Sequence, residues 1–357
     1  MPFLYIGSTG DRAGHSLTTW AVARRLKKKG LKVGFIKPFG THPVPNHGAW
    51  IDHDAFLFKE VLQLHEPLER ICPYVASDET LKQQGPEEIM AHFKSMAQEL
   101  SEGKDILLVM GSRHIFFDDA ACPIPDVSFV QELGADFLLV HRHRQVSRTI
   151  YSLLSVGSLL KEKVKGIILN RVRPEELPGI RNQMVPSLRS KGIPITAAIA
   201  EDPSLSFRSL REVGEVLEAE LLLGEEDLGR PMGAVTVGSS DLGRELSLFK
   251  RAYNKIVLLQ PSASTLDVED SAPKPRAVAA ILLTGGRSPA PQMVEAAKNA
   301  HVPLMVVKHD TFSALELLEQ STSHLSPRDE AKVQRFEELM DGEAGFDRLF
   351  ESLGLFP

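Results

Sequence analysis

Gly7-Ser8-Thr9-Gly10-Asp11-Arg12-Ala13-Gly14-His15-Ser16 follows directly on the apolar run Phe3-Leu4-Tyr5-Ile6. A glycine-rich turn between a strand and a helix aims backbone N–H groups and the positive end of the helix at an anion. A lysine then neutralises the outer phosphates, and a Ser or Thr holds Mg²⁺. Here Gly10 and Gly14 supply the turn and Ser16 the hydroxyl, but His15 stands where the lysine is expected. The segment reads either as a phosphate cradle that has lost its cation or as an ordinary tight strand-to-helix turn.

Outward from this junction, short Val/Ile/Leu-rich runs recur at Phe3 to Ile6, Lys32 to Lys37, Asp105 to Met110, Asp136 to His141, Val164 to Asn170 and Ile195 to Ala200. Their length and composition suit strands buried on both faces, and the amphipathic stretches between them supply crossover helices. The expectation is an α/β fold, a doubly wound and mainly parallel sheet over residues 1–220. Ligands of such sheets sit beyond the carboxyl ends of the strands.

A Glu- and Gly-rich stretch, Gly224-Glu225-Glu226-Asp227 to Gly229-Arg230-Pro231, marks a linker at 221–232. A second, smaller α/β domain is expected over 233–320. It comprises runs at Ala234 to Val237, Lys255 to Gln260, Ala277 to Thr284 and Leu304 to Lys308, helices from about Asp241 and Pro289, and a proline-rich link at Ala272 to Pro275. Residues 321–357 form a helical tail, with Val333, Phe336, Leu339 and Met340 at helical spacing before Phe346, Leu349 and Phe350. Such a tail packs against the body or forms a dimer contact.

Composition narrows the partners. The 357 residues are 43% hydrophobic and 25% charged, the balance of a globular protein. Forty-one basic against forty-seven acidic residues give a charge of -6 with no concentrated basic face, which argues against nucleic acid. The run Lys27-Lys28-Lys29 reads as the end of the first helix, complementing its dipole. Cys72 and Cys122 each precede a proline and fit neither a disulfide framework nor a metal pair. No charged leader and no apolar run of bilayer length is present, so a cytoplasmic protein without a membrane segment is expected.

Strand ends hold the remaining candidates. Lys37 closes the second run beside the glycine loop, either as an ordinary strand-end lysine or as a partial substitute for the missing charge. Asp52 reads as a helix cap. Asp54 is the candidate Mg²⁺ ligand, because that ion takes one or two carboxylates with phosphates and waters. His42, His47, His53 and His65 match no zinc spacing. Arg113-His114 and His141-Arg142-His143-Arg144 could bring cations to one crevice, or be loop surface charges.

Gly7 to Ser16, Lys37-Pro38, Asp52 to Asp54, Ile167 to Val172 (with Asn170) and Ile199-Ala200-Glu201-Asp202-Pro203-Ser204-Leu205 come in the order seen in dethiobiotin synthetase-like P-loop proteins. The chain resembles most the dethiobiotin synthetase-like amino-terminal region of long phosphotransacetylases. Residues 234 to about 318, with Leu283-Thr284-Gly285-Gly286-Arg287, resemble the DRTGG domain that follows it there. The resemblance implies that Gly10, Gly14, His15 and Ser16 line a triphosphate site for ATP or another nucleotide. It further implies that Ser16 and Asp54 hold Mg²⁺, that Lys37 faces the transferred phosphate or substrate, and that Asn170 reads the adenine edge.

The departures are His15 for lysine, Met110 where the family places an acidic residue, and Leu282-Leu283 where the DRTGG name begins with Asp and Arg. Phosphoryl transfer depends on charge stabilisation, so weak turnover is expected. The chain ends at Pro357, before any acyltransferase domain, so acetyl transfer by this polypeptide is not expected, whereas partnership with a separate acyltransferase stays open.

Three functions compete. The first is a regulatory or sensing protein that binds a nucleotide or another small anion and uses the DRTGG domain for assembly, as a homo-oligomer or with a partner protein. The second is a working Mg·ATP-dependent ligase acting on a carboxylate or carbamate. The third is a structural interaction module whose pocket is filled by its own Phe, Met or Leu side chains.

Overall fold

A computed structural model describes residues 2–10, 12–46, 48–75, 84–112, 115–116, 118–119, 121–237, 256–261, 279–286, 288–289, 291–321, 324–342 and 345–355. The helix expected from Asp241, the link at Ala272 to Pro275, and Asp11, His47, Arg113, His114, Lys255, Ala277 and Arg287 lie outside them. Two compact units are present, Met1–Glu201 with Leu325–Pro357, and Asp202–His324.

All six runs of the first unit are strands: β1 (Phe3–Ser8), β2 (Val33–Ile36), β3 (Ile106–Met110), β4 (Asp136–Arg142), β5 (Val164–Val172) and β6 (Ile195–Ala200). They form one sheet in the order β6-β5-β4-β1-β3-β2, every neighbouring pair parallel. Every residue of β2 and β3 is buried, as a sheet covered on both faces requires.

The covering helices include α1 (His15–Lys28), α2 (His53–Leu62), α3 (Pro86–Ser101), α4 (Asp126–Glu132) and α5 (Val146–Leu160). Helix α3 starts at a proline, whose missing N–H is harmless in the first turn, and buries Ile89, Phe93, Met96, Ala97 and Leu100. These pack with Tyr5, Val109, Phe129 and Phe137 in one core. The chain runs from β1 out to β2, back through β3, and then across β1 to β4. The strand order therefore reverses beside β1, and the loop that follows β1 lies at the switch point where such sheets take ligands.

The second unit holds β7 (Arg208–Ser209), β8 (Glu220–Leu223), β9 (Pro231–Val237), β10 (Ile256–Pro261), β11 (Ala280–Thr284) and β12 (Leu304–Val307). Their order is β7-β9-β10-β11-β12-β8, and only β11 and β12 run parallel. Residues 202–220, read from the sequence with the first domain, fold here instead. Ser209 and Glu212 form a reciprocal capping box that starts α6 (Leu210–Val216). Leu210, Val213 and Leu217 then bury against Met232, Leu282 and Met305. The expected linker at 221–232 is likewise built structure: most of edge strand β8, a short 3-10 turn and the first residues of β9.

Helices α7 (Pro291–Asn299) and α8 (Thr311–Gln320) complete this unit. The Thr284-Gly285-Gly286 segment is a tight turn. Gly285 and Gly286 have φ of 90° and 67°, and their N–H groups donate to the His309 and Val307 carbonyls at 2.7 and 2.9 Å.

The tail forms α9 (Glu330–Asp341) and α10 (Gly345–Ser352), which belong to the first unit. Val333, Phe336, Met340, Phe346, Leu349 and Phe350 are buried. Glu337, also buried, faces Arg24, Arg25 and Lys28 of α1, the last at 3.0 Å. Part of the lysine run at the end of α1 thus serves helix packing. Among the described residues no helix is long and apolar enough to cross a membrane.

Candidate functional site

The loop between β1 and α1 turns on Gly14, whose φ of 95° is the left-handed conformation a glycine adopts without strain. A Cβ at this position would come within 2.6 Å of Asn170 Nδ2. No side chain caps α1, so the N–H groups of its first turn, which have no intrahelical acceptor, face outward. Gly10, Gly14, His15 and Ser16 are half-buried and Arg12 is exposed; the mouth of the helix is not packed shut. Among the described residues the Ser16 hydroxyl makes no hydrogen bond.

Asn170, expected at an adenine edge, is buried at the end of β5. Its Nδ2 donates to the Ala13 carbonyl at 2.8 Å and its Oδ1 accepts from Arg171 N at 2.9 Å. In this structure its amide braces the loop from beneath.

Lys37 is fully buried. Its Nζ lies 3.0 and 3.1 Å from the two Asp52 oxygens and 2.6 Å from Asp54 Oδ2. Burial works against the ammonium charge, but Asp52 and then Asp54 outweigh it and hold the pKa well above the lysine range. Burial likewise pushes the Asp54 carboxyl up, and Lys37, followed by His15 and His42, reverses this and holds it far below the carboxylate range. Lys37 and Asp54 are therefore both charged at neutral pH, and the ammonium is spent on the two carboxyl groups.

Asp52 is also the α2 cap, accepting from Ala55 N at 3.1 Å, as the sequence indicates. His42, Asp52 and Asp54 bring ligand atoms within 4.8 Å of one another, but the Lys37 ammonium already sits between the two carboxylates. Asp54 Oδ2 is taken by the Lys37 ammonium, so the other Asp54 oxygen and the Ser16 hydroxyl are the hard donors left at the expected Mg²⁺ site, and Met110 offers none.

Of the expected cationic crevice, the described residues include only the stretch from His141 to Arg144. His141 and His143 are buried and link through Thr149, with 3.0 Å from each ring to its Oγ1. His141 Nδ1 lies 2.6 Å from Thr9 Oγ1 in the loop. Burial, followed by His143, pushes the His141 pKa down to about 4, and burial also lowers His143. Both are neutral braces at neutral pH. Arg142 and Arg144 remain as cations, the first half-buried and the second exposed.

Sequence reasoning missed three groups. Arg12 and Arg171 both adopt left-handed backbone, with φ of 55° and 54°, a conformation that leaves no mark on a sequence. Asp126, at the start of α4, accepts from Ser112 N at 3.3 Å, and burial raises its pKa to about 6. A Cβ on Gly111 would fall 2.3 Å from its Oδ2. Because neighbouring strand residues point to opposite faces, Asp126 sits on the face away from Met110 and does not replace the acid missing there.

Known proteins agree with this layout. The AAA_26 family model, an AAA domain, matches residues 3–209, and a DRTGG domain model matches residues 212–321. A phosphate acetyltransferase of Deinococcus radiodurans is 24% identical, covering 92% of this chain and 48% of its own length. One from Synechocystis is 23% identical, covering 99% and 53%. The chain thus spans about half the length of these relatives. The ATP-dependent dethiobiotin synthetase BioD of Anaeromyxobacter sp. (strain K) is 25% identical, covering 61% of this chain and 98% of its own. Among solved structures, the septum site-determining protein MinD of Pyrococcus horikoshii matches with a TM-score of 0.36 and 16% identity, over 57% of this chain and 83% of its own. That likeness adds nothing to what the strand order shows. With a parallel sheet, a glycine loop at its switch point and a family match over more than half its length, the chain belongs to the AAA_26 family of AAA domains and continues into a DRTGG domain.

Proposed function

We propose that the first unit binds a nucleotide, with ATP the leading candidate, or another phosphate-bearing anion at the β1–α1 loop, with little or no phosphoryl transfer. On this reading the chain is a cytoplasmic regulatory or sensing protein, and its DRTGG domain serves assembly with a second copy or a partner protein. The observation that carries the reading is the uncapped, half-exposed start of α1 together with Lys37 locked between Asp52 and Asp54. The first turn of α1 has no side-chain cap and its amides can attract an anion, whereas the loop lysine that drives transfer is replaced by His15 and the Lys37 ammonium is committed to Asp52 and Asp54. Titration of the full chain with labelled ATP, with and without Mg²⁺, tests it: saturable binding without ADP release is expected, and no binding up to millimolar nucleotide refutes it.

A second reading, an Mg·ATP-dependent ligase acting on a carboxylate or carbamate, draws support from the likeness to dethiobiotin synthetases over nearly their whole length. It requires ADP release with some member of a panel of carboxylate substrates. It also requires that Asp54→Ala abolish that release in a protein that still folds.

A further inference from the structure

Three arginines lie at backbone positions that flank the braced loop. Arg142, at the end of β4, is the register partner of Asn170 on β5, and Arg171 is the next residue along. The Asn170 amide reaches across to the Ala13 carbonyl, and Ala13 follows Arg12. One buried asparagine thus ties together the backbone positions of all three. Arg171, half-buried, is held below the usual arginine range first by burial and then by Arg142, with Arg12 adding to it. Glu201, just after β6, is the one carboxylate among the described residues that opposes this, and it is not within ion-pair distance of Arg171. Among the described residues none of the three arginines forms an ion pair. Two of them hold left-handed backbone that a non-glycine residue adopts at a cost. Like charges gathered at a strained position, with no acid among the described residues paired to them, are what an anion site looks like before its ligand arrives.

We propose that Arg12, Arg142 and Arg171 form a three-guanidinium clamp at the mouth of α1 that takes the phosphates of a polyphosphate ligand in its metal-free form. The inference rests on the proposed anion-binding role of the loop and names what supplies its charge. Guanidinium forks hold phosphate oxygens in pairs and stay charged when partly buried, so together they replace the lost lysine. The metal-free form follows from the same residues. Mg²⁺ would cancel two charges of the ligand, and of the positions that hold it in the family Met110 has no hard donor and Asp54 shares its carboxylate with Lys37, which leaves a weakened site around Ser16.

Calorimetric titration of the full chain with tripolyphosphate and with ATP, each in EDTA and in excess Mg²⁺, tests the clamp. The expected result is binding in EDTA that weakens about tenfold or more in Mg²⁺ and falls steeply with ionic strength. Arg12→Gln, Arg142→Gln and Arg171→Gln should each weaken it about tenfold or more, while Lys191→Gln, on the exposed surface, leaves it unchanged. Circular dichroism melts report whether each variant folds. The wild-type salt and Mg²⁺ dependences need no variant at all. Tripolyphosphate binding as tightly as ATP assigns recognition to the phosphate chain, and tighter ATP binding adds the nucleoside; either result is compatible with the clamp. Affinity that rises with Mg²⁺, or folded arginine variants that bind like wild type, overturns the clamp. If those variants bind normally while Gly14→Val does not, the loop reading survives alone. If neither probe binds the wild type, both fall.

Discussion

At the scale of single residues, Lys37 changes meaning between sequence and structure. A lysine at the carboxyl edge of a sheet reads as a ligand-facing cation, yet its ammonium is closed in by Asp52 and Asp54. Removing the cation strands two carboxylates in a buried site, so Lys37→Met should cost about 3–5 kcal/mol, measured as a lower urea midpoint. Millimolar Mn²⁺ should recover part of that loss, because His42, Asp52 and Asp54 can then ligate it. A variant as stable as the parent would show that the trio does not hold the fold. The sequence displayed all three residues and identified Asp52 as a cap. It did not display their meeting, which depends on where the hairpin of Pro43–Asn46 and Ala49–Asp52 delivers the start of α2. The same holds for Arg12 and Arg171, whose left-handed backbone angles leave no mark on a sequence, and for Asn170, whose bond to the Ala13 carbonyl is a long-range contact.

Elements were more legible than contacts. The six parallel strands announced themselves as short apolar runs because both faces of the sheet are covered, and Ile195–Ala200 matches its expected run residue for residue. Strand β8 escaped because Glu220–Leu223 lies next to a Glu- and Gly-rich turn and only its pairing with β12 distinguishes it from a helix end. The tail declared itself helical by spacing, but not which surface it covers. Its packing gives a direct test. Phe336 is fully buried, so Phe336→Ala should destabilise the first unit by about 3–5 kcal/mol. Glu337→Gln, which keeps the volume and removes the charge facing Arg24, Arg25 and Lys28, should cost about 1–3 kcal/mol. Both tryptophans, Trp20 and Trp50, lie in the first unit, and their fluorescence follows its unfolding. An unchanged denaturation midpoint in both variants would contradict the packing described.

For the molecule as a whole, two buried groups tilt stability in opposite directions with pH. His141, lowered from 6.5 to about 4, favours folding above 6.5 and loses that contribution as pH falls towards 4. Asp126, raised from 3.8 to about 6, favours folding below 3.8 and loses its contribution as pH rises through 6. Between pH 4 and 6 the two slopes, each up to about 1.4 kcal/mol per pH unit, largely cancel. Relative to wild type, Asp126→Asn should make the first unit less stable on acidification, and His141→Gln should make it more stable. Parallel pH profiles for all three proteins would remove both groups from the balance. The sequence located two α/β regions but set their division too late, because α6 is joined to its core by long-range contacts rather than by a local signal. At this scale the central claim is that the open end of α1 holds a phosphate-bearing anion without consuming it. The most direct measurement is a calorimetric titration of the full chain with ATP, followed by assay of the recovered nucleotide. Saturable binding with the ATP returned intact is predicted; absence of heat up to millimolar nucleotide, or conversion to ADP, would contradict it.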